Sequence, residues 1–389
     1  MVMNPWEREV KGYGLKGTCL SDNKGIHFTE LHGHSETNTA AQAAADLEHC
    51  PCVDGFAVMQ SAKNHRLKRH PLRFQERARR SGNGYDKVRI FTGSTRKGAV
   101  CTCEVTAPIL VDLKRPETKI AHTVNFFLKP EPKVLLGIWH TVPSYRGEEA
   151  KGKCRCWYEA SLSDGNPIII YLHGSGINRA FCGRIKLTQV LSDGGFHVLS
   201  VDYRGFGDST GTTTEEGLTT DIICVYEWTK ARSGRTPVCL WGHSLGTGVA
   251  TNAARVLEAK GCPVDAIILE APFTNIWAAT INFPLVKIYW KLPGCLRTFV
   301  DALKEEKIVF PNDENVKFLS SPLLILHGED DRTVPLEFGK QLYEIARSAY
   351  RNKERVKMVV FPPGFHHDYL FKSPMLLSTV RDFLSEQWA

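Results

Sequence analysis

The chain has 389 residues, 42% apolar and 23% charged, which allows a large core and excludes a wholly disordered protein. Its formal net charge of +7 is less than the surplus in residues 63–97 alone, so the remainder is near neutral and points to no nucleic-acid or acidic partner. No run of about 18 apolar residues occurs, and Glu7, Arg8 and Glu9 stand where a signal peptide would need an apolar segment. Neither a transmembrane helix nor a signal peptide is expected.

Residues 1–105 lack sustained periodicity and are expected to be a basic, largely disordered region with one short helix near 39–47. The basic residues Arg66, Lys68, Arg69, Arg77, Arg79 and Arg80 suit a solvated tail, which such runs most often are, or contact with nucleic acid or an anionic membrane surface. From residue 106 to 389 strands alternate with helices, which predicts a mostly parallel central sheet flanked by helices, an α/β fold. Residues 123–128 and 134–140 read as a leading pair of strands. The continuous apolar run 168–172 suits a strand covered on both faces. Next come a helix over 184–191, a strand over 197–202, and a helix over 216–230 with Leu218, Ile222, Val225 and Tyr226 at helical spacing. A strand over 237–241, a helix over 247–257 and a strand over 266–270 follow. After an aromatic-rich insert, the pattern resumes with strand 323–326, helix 336–349, strand 356–361 and helix 376–384.

Twelve cysteines show no disulfide rhythm. Cys50/Cys52, Cys101/Cys103 and Cys154/Cys156 are C-x-C pairs, unlike the C-x₂-C of structural zinc sites, so reduced thiols and no metal are expected.

Gly242-His243-Ser244-Leu245-Gly246 lies between the apolar run 237–241 and a helix rich in small residues. Strand, G-x-S-x-G, helix is the signature of a nucleophile elbow, which presents one serine hydroxyl at the tip of a sheet. Such a hydroxyl needs a base to take its proton and a carboxylate to orient that base. A carboxylate is available after strand 323–326, at Asp330 or Asp331. A histidine is available after strand 356–361, at His366 or His367. Their order, serine then acid then histidine, is that of α/β-hydrolases. Two backbone N–H groups would serve as an oxyanion hole, from Leu245 after the nucleophile and from Ser175 in the loop His173-Gly174-Ser175-Gly176.

Residues from about 108 to 389 resemble an α/β-hydrolase of the abhydrolase domain-containing 12 family, most like its B branch. The motifs that carry this are Tyr171-Leu172-His173-Gly174, the run from Ser200 to Ser209 around Asp202-Tyr203-Arg204-Gly205, Trp241 to Gly248, and His327-Gly328-Glu329-Asp330-Asp331. The resemblance implies a membrane-associated serine hydrolase acting on monoacylglycerols and lysophospholipids such as lysophosphatidylserine, with no cofactor. It selects His367, three residues after Gly364, as the base, and Asp331, just before the Val334-Pro335 step, as the acid. Asp330 and His366 are then expected to face solvent. Residues 1–105 do not match the family, and its membrane-spanning segment is missing. Expected placement is therefore intracellular: cytoplasmic, or peripheral at a membrane, with the endoplasmic reticulum implied by the family.

The insert from about 272 to 318 holds Phe273, Trp277, Phe283, Tyr289, Trp290, Phe299, Phe310 and Phe318. The fold places its lid here, and an apolar lid suits an acyl chain, at about 0.8 kcal/mol per buried CH₂. The sequence thus predicts a serine esterase whose partner is a lipid ester, with peripheral membrane contact through the lid and the basic run. A thioesterase or peptidase on the same triad is the enzyme alternative, and a non-catalytic binding protein is the alternative of another class.

Overall fold

The computed structural model describes residues 87–89, 104–106, 111–278 and 308–388. The expected helix near 39–47, the basic run and residues 279–307 of the insert lie outside them. Strands β1 (Lys87–Arg89) and β2 (Glu104–Thr106) pair antiparallel as a separate two-stranded sheet across the expected boundary at 105.

The main sheet has eight strands: β3 (Thr123–Glu131), β4 (Val134–Thr141), β5 (Ile168–Leu172), β6 (His197–Val201), β7 (Val238–His243), β8 (Ala266–Glu270), β9 (Leu323–Gly328) and β10 (Val356–Phe361). Their spatial order is β10-β9-β8-β7-β5-β6-β4-β3. β3 pairs antiparallel with β4, and β4 with β6; all other neighbours are parallel. Parallel neighbours need crossovers. These run through α2 (Cys182–Asp193), α3 (Glu215–Ser233), α4 (Leu245–Ala259) and α5 (Leu336–Ala349). α1 (Arg155–Ser161) precedes β5, and α6 (Met375–Trp388) closes the described chain. The small helix α1 has no counterpart in the sequence pattern, because seven residues give too few turns for a periodic signal.

Successive side chains of a strand point to opposite faces. Ile168, Ile170 and Leu172 of β5 join Leu218, Ile222 and Val225 of α3, Val249 and Ala253 of α4, and Leu342 of α5 in one core layer. Ile169 and Tyr171 join Leu187 and Leu191 of α2 and Val380 and Phe383 of α6 in the other. Five strands, β5 to β9, are buried along their whole length, which is why they read as mostly apolar runs rather than alternating ones, with buried polar exceptions such as His197 and Ser200 of β6 and Glu270 of β8.

Helix limits follow local chemistry. The Thr214 hydroxyl accepts the Gly217 N–H at 3.0 Å and caps α3. Gly234, at φ 57°, ends it. All parallel strands place their C-termini at one end of the sheet, so the loops after β5, β7, β8, β9 and β10 converge there. In open α/β sheets this is where ligands bind.

Candidate active site

β7 ends at His243 and α4 starts at Leu245, so Ser244 alone makes the turn, at φ 52° and ψ −116°. A positive φ is uncommon for a residue with a side chain and here projects Ser244 from the sheet tip. The neighbours must be glycine. A Cβ at Gly242 would lie 2.3 Å from the Gly246 carbonyl oxygen, and one at Gly246 only 2.0 Å from that of Leu172. The Ser244 N–H donates to the Glu270 carbonyl at 2.9 Å, which fixes the elbow to β8. Ser244 stays partly exposed.

Asp331 follows β9 and His367 follows β10. The structure brings them together, with His367 Nδ1 at 2.7 Å from Asp331 Oδ2. Oδ1 of Asp331 accepts the Thr333 and Val334 N–H groups at 2.8 and 2.9 Å. Its side chain is fully buried, so these partners hold one orientation. The carboxylate fixes the His367 tautomer with the proton on Nδ1 and leaves Nε2 as the basic atom. Burial opposes both charges, but hydrogen bonds win. Those from His327 and His367 hold the Asp331 carboxyl well below the usual range. Asp331 in turn raises His367 above an ordinary imidazole.

The neighbouring pair was expected to face solvent; His366 is exposed and Asp330 partly so, and the two are joined to each other, with His366 Nδ1 2.7 Å from Asp330 Oδ2. Asp330 also accepts the Gly364 and His366 N–H groups at 2.8 and 2.9 Å, so it braces the loop that carries His367. His366 has φ 48°, a bend that turns consecutive histidines apart.

Ser175 lies exposed in the loop after β5, and Leu245 is the first residue of α4, where an N–H has no intrahelical acceptor. Gly174 brings the two loops together: a Cβ there would sit 3.2 Å from that of Ser244. Two arginines absent from the sequence reading shape this loop. Arg184, on α2, donates to the carbonyls of Gly174, Gly176 and Asn178. Turning those carbonyls toward a cation leaves the intervening N–H groups directed the other way. Arg179, wholly buried, bridges Asp202 and Asp208 at 2.6 Å each. Tyr203 donates its hydroxyl to the His173 carbonyl at 2.9 Å. Asp202 to Asp208 is thus a brace for the loop after β5.

Sequence spacing disclosed no metal ligands. Among the described residues the fold does gather three ligand types, His243, His367 and Asp368, with one ligand atom from each within 4.8 Å of the others. A cation there would occupy the imidazole paired with Asp331. His243 was read only as the variable elbow residue. Its Nε2–H donates to the His367 carbonyl at 3.0 Å, tying elbow to histidine loop across 124 positions, a link no sequence spacing reveals.

The chain is similar to known proteins. The family model described as serine aminopeptidase, S33, matches residues 165–321. The chain is 79% identical to human Protein ABHD12B over 283 residues, 73% of this chain and 78% of that protein. It is 48% identical to the lysophosphatidylserine lipase ABHD12 of Xenopus tropicalis, covering 72% of this chain and 74% of that one. An esterase of Pyrococcus furiosus is similar in fold, with a TM-score of 0.53 at 20% identity, over 72% of this chain and 97% of the esterase. The sheet order, the elbow and these relatives together place the chain in the ABHD12 family of α/β-hydrolases.

Proposed function

We propose that this protein is a serine hydrolase that cleaves acyl esters of single-chain lipids, monoacylglycerols or lysophospholipids such as lysophosphatidylserine. The observation that carries the reading is the buried His367–Asp331 pair at 2.7 Å, set on the loops beside a serine at an elbow. Ser244 Oγ attacks the acyl carbonyl while His367 Nε2 takes its proton. The N–H groups of Leu245 and Ser175 receive the negative charge that develops on the carbonyl oxygen. The tetrahedral intermediate collapses, and His367 returns the proton to the departing glycerol oxygen. Water, activated by the same imidazole, then releases the fatty acid and restores Ser244. Asp331 orients His367 and balances its charge throughout.

The names of the ABHD12 relatives support the lipid assignment. In this reading residues 106–389 form the catalytic unit, the insert at 272–318 forms a lid over the acyl chain, and lid and basic run meet a membrane surface, that of the endoplasmic reticulum by family resemblance. Among the described residues no helix is long and apolar enough to cross a membrane. The matched family model favours one alternative, a peptidase on the same residues.

The test compares wild type with Ser244→Ala for fluorophosphonate labelling, for fatty-acid release from monoacylglycerol and lysophosphatidylserine, and for arylamine release from a peptide anilide. Loss of a triad member removes several orders of magnitude in kcat. Undiminished hydrolysis by Ser244→Ala refutes the mechanism, and cleavage of the anilide alone refutes the lipid substrate.

A further inference from the structure

Glu270 is the last residue of β8 and stands in register with His243 on β7. Its carbonyl holds the nucleophile's N–H, so its side chain leaves the backbone beside the elbow. That side chain is buried, with 4% of the residue exposed. Trp241 Nε1–H donates to Oε2 at 2.9 Å. Among the described residues no Lys, Arg or His lies within ion-pair distance. A buried carboxylate with one neutral donor is unfavourable and is seldom kept for stability alone.

Its surroundings point to the reaction. His243, in register with Glu270, donates its Nε2–H to the His367 carbonyl at 3.0 Å, and the two imidazole ring centres lie 4.9 Å apart, so a single ring separates the carboxylate's strand from His367. Tyr171, Arg184 and His243 line a narrow cavity with it. Burial pushes the Glu270 carboxyl up to about 7, against the Trp241 hydrogen bond. The mechanism above leaves this group unused.

We propose that Glu270 is a positioning residue for His367, its carboxylate held by Trp241 beneath the elbow so that negative charge stabilises the imidazolium formed when His367 takes the Ser244 proton. The proposal rests on the serine-hydrolase reading. Asp331 fixes the ring through a hydrogen bond, whereas Glu270 acts through its field and exchanges no proton with substrate. Glu270 becomes anionic as pH rises through neutrality, so it strengthens His367 as a base over the range where His367 itself loses its proton. Two linked ionisations then govern the acid side of the rate profile.

The experiment measures kcat and KM from pH 5 to 9 on a soluble short-chain ester, and the His367 ring titration by NMR, for wild type, Glu270→Gln and Trp241→Phe. Glu270→Gln is expected to lower the plateau kcat about tenfold with KM nearly unchanged, as for loss of a charge interaction made mainly in the transition state. It should also move the acid limb and the His367 titration to lower pH, because no anion then favours the imidazolium. Trp241→Phe keeps the carboxylate but removes its donor, so the rate should keep rising to higher pH than in wild type. A merely structural role would leave both limbs where they are. An unmoved limb, or an unmoved His367 titration in both variants, overturns the proposal. Should Glu270→Gln not fold, Trp241→Phe decides alone. Should wild type hydrolyse no ester, the serine-hydrolase reading fails, and the ring titration still judges Glu270.

Discussion

Asp331→Asn separates a catalytic carboxylate from a merely buried one. Asn matches Asp in size and keeps an oxygen for the Thr333 and Val334 N–H groups, so the turn should survive. What changes lies opposite His367 Nδ1, 2.7 Å away: a charge disappears, and the amide can offer N–H where an acceptor stood. Two unit charges at this separation interact by roughly 6 kcal/mol at an effective dielectric constant near 20. About 1.36 kcal/mol is a factor of ten in rate, so the loss should approach four decades. A carboxylate-to-amide change in another Ser-His-Asp enzyme costs a similar factor, about 10⁴ in kcat. The assay is short-chain ester hydrolysis with fluorophosphonate labelling rate, read beside Asp330→Asn. The latter weakens only the brace to Gly364 and His366 and should cost less than about tenfold, as exposed charge interactions do. Asp331→Asn within tenfold of wild type, or Asp330→Asn as damaged as Asp331→Asn, would refute the assignment.

Two further outcomes follow from packing and burial. Gly246→Ala places a methyl group 2.0 Å from the Leu172 carbonyl oxygen, so labelling should vanish and Tm should fall by an amount matching about 3 kcal/mol or more; an unchanged melt would show that the elbow relaxes freely. Thermal stability should also decline as pH falls below about 6.5, because burial, with His197 beside it, holds His140 well below that value and the unfolded chain takes up the proton first. Asp331 adds a second loss below about pH 4, where its ordinary carboxyl in the unfolded chain protonates while the native one resists. Glu270 works in the opposite sense, since its raised value favours unfolding as pH rises from about 4.5 to 7, so Glu270→Gln should melt no lower than wild type at pH 8. Melting curves of wild type and Glu270→Gln from about pH 3 to 8 separate the opposing trends, and curves flat for both proteins would discount these buried groups.

The hydrolase body was legible because its signals are local. A strand covered on both faces must be a mostly apolar run, so 168–172 and 266–270 could be read to the residue. A turn with no room for side chains must be glycine, so Gly242 and Gly246 marked the elbow. The order of serine, acid and histidine along the chain followed from which strand each residue succeeds. The choice between adjacent residues came from family resemblance, since a loop's bend is not written in its composition. The fold supplies that bend at His366 and closes the contact between His367 and Asp331.

Other features were decided only when distant segments met. Arg184 seemed one more polar residue of a helix until its guanidinium met three loop carbonyls. Asp330 looked like a spare acid, yet it braces Gly364 and His366 from 34 and 36 positions away. Glu270 read as the end of a strand, and only β7 and the histidine loop closing over it made its charge a matter for the reaction. Sequence by itself determined the longer secondary elements, their alternation and the elbow, because backbone sterics and apolar period act between near neighbours. Tertiary structure decided which polar groups face one another and how far from water, because electrostatic effects depend on distance and burial, and neither exists until the sheet is assembled.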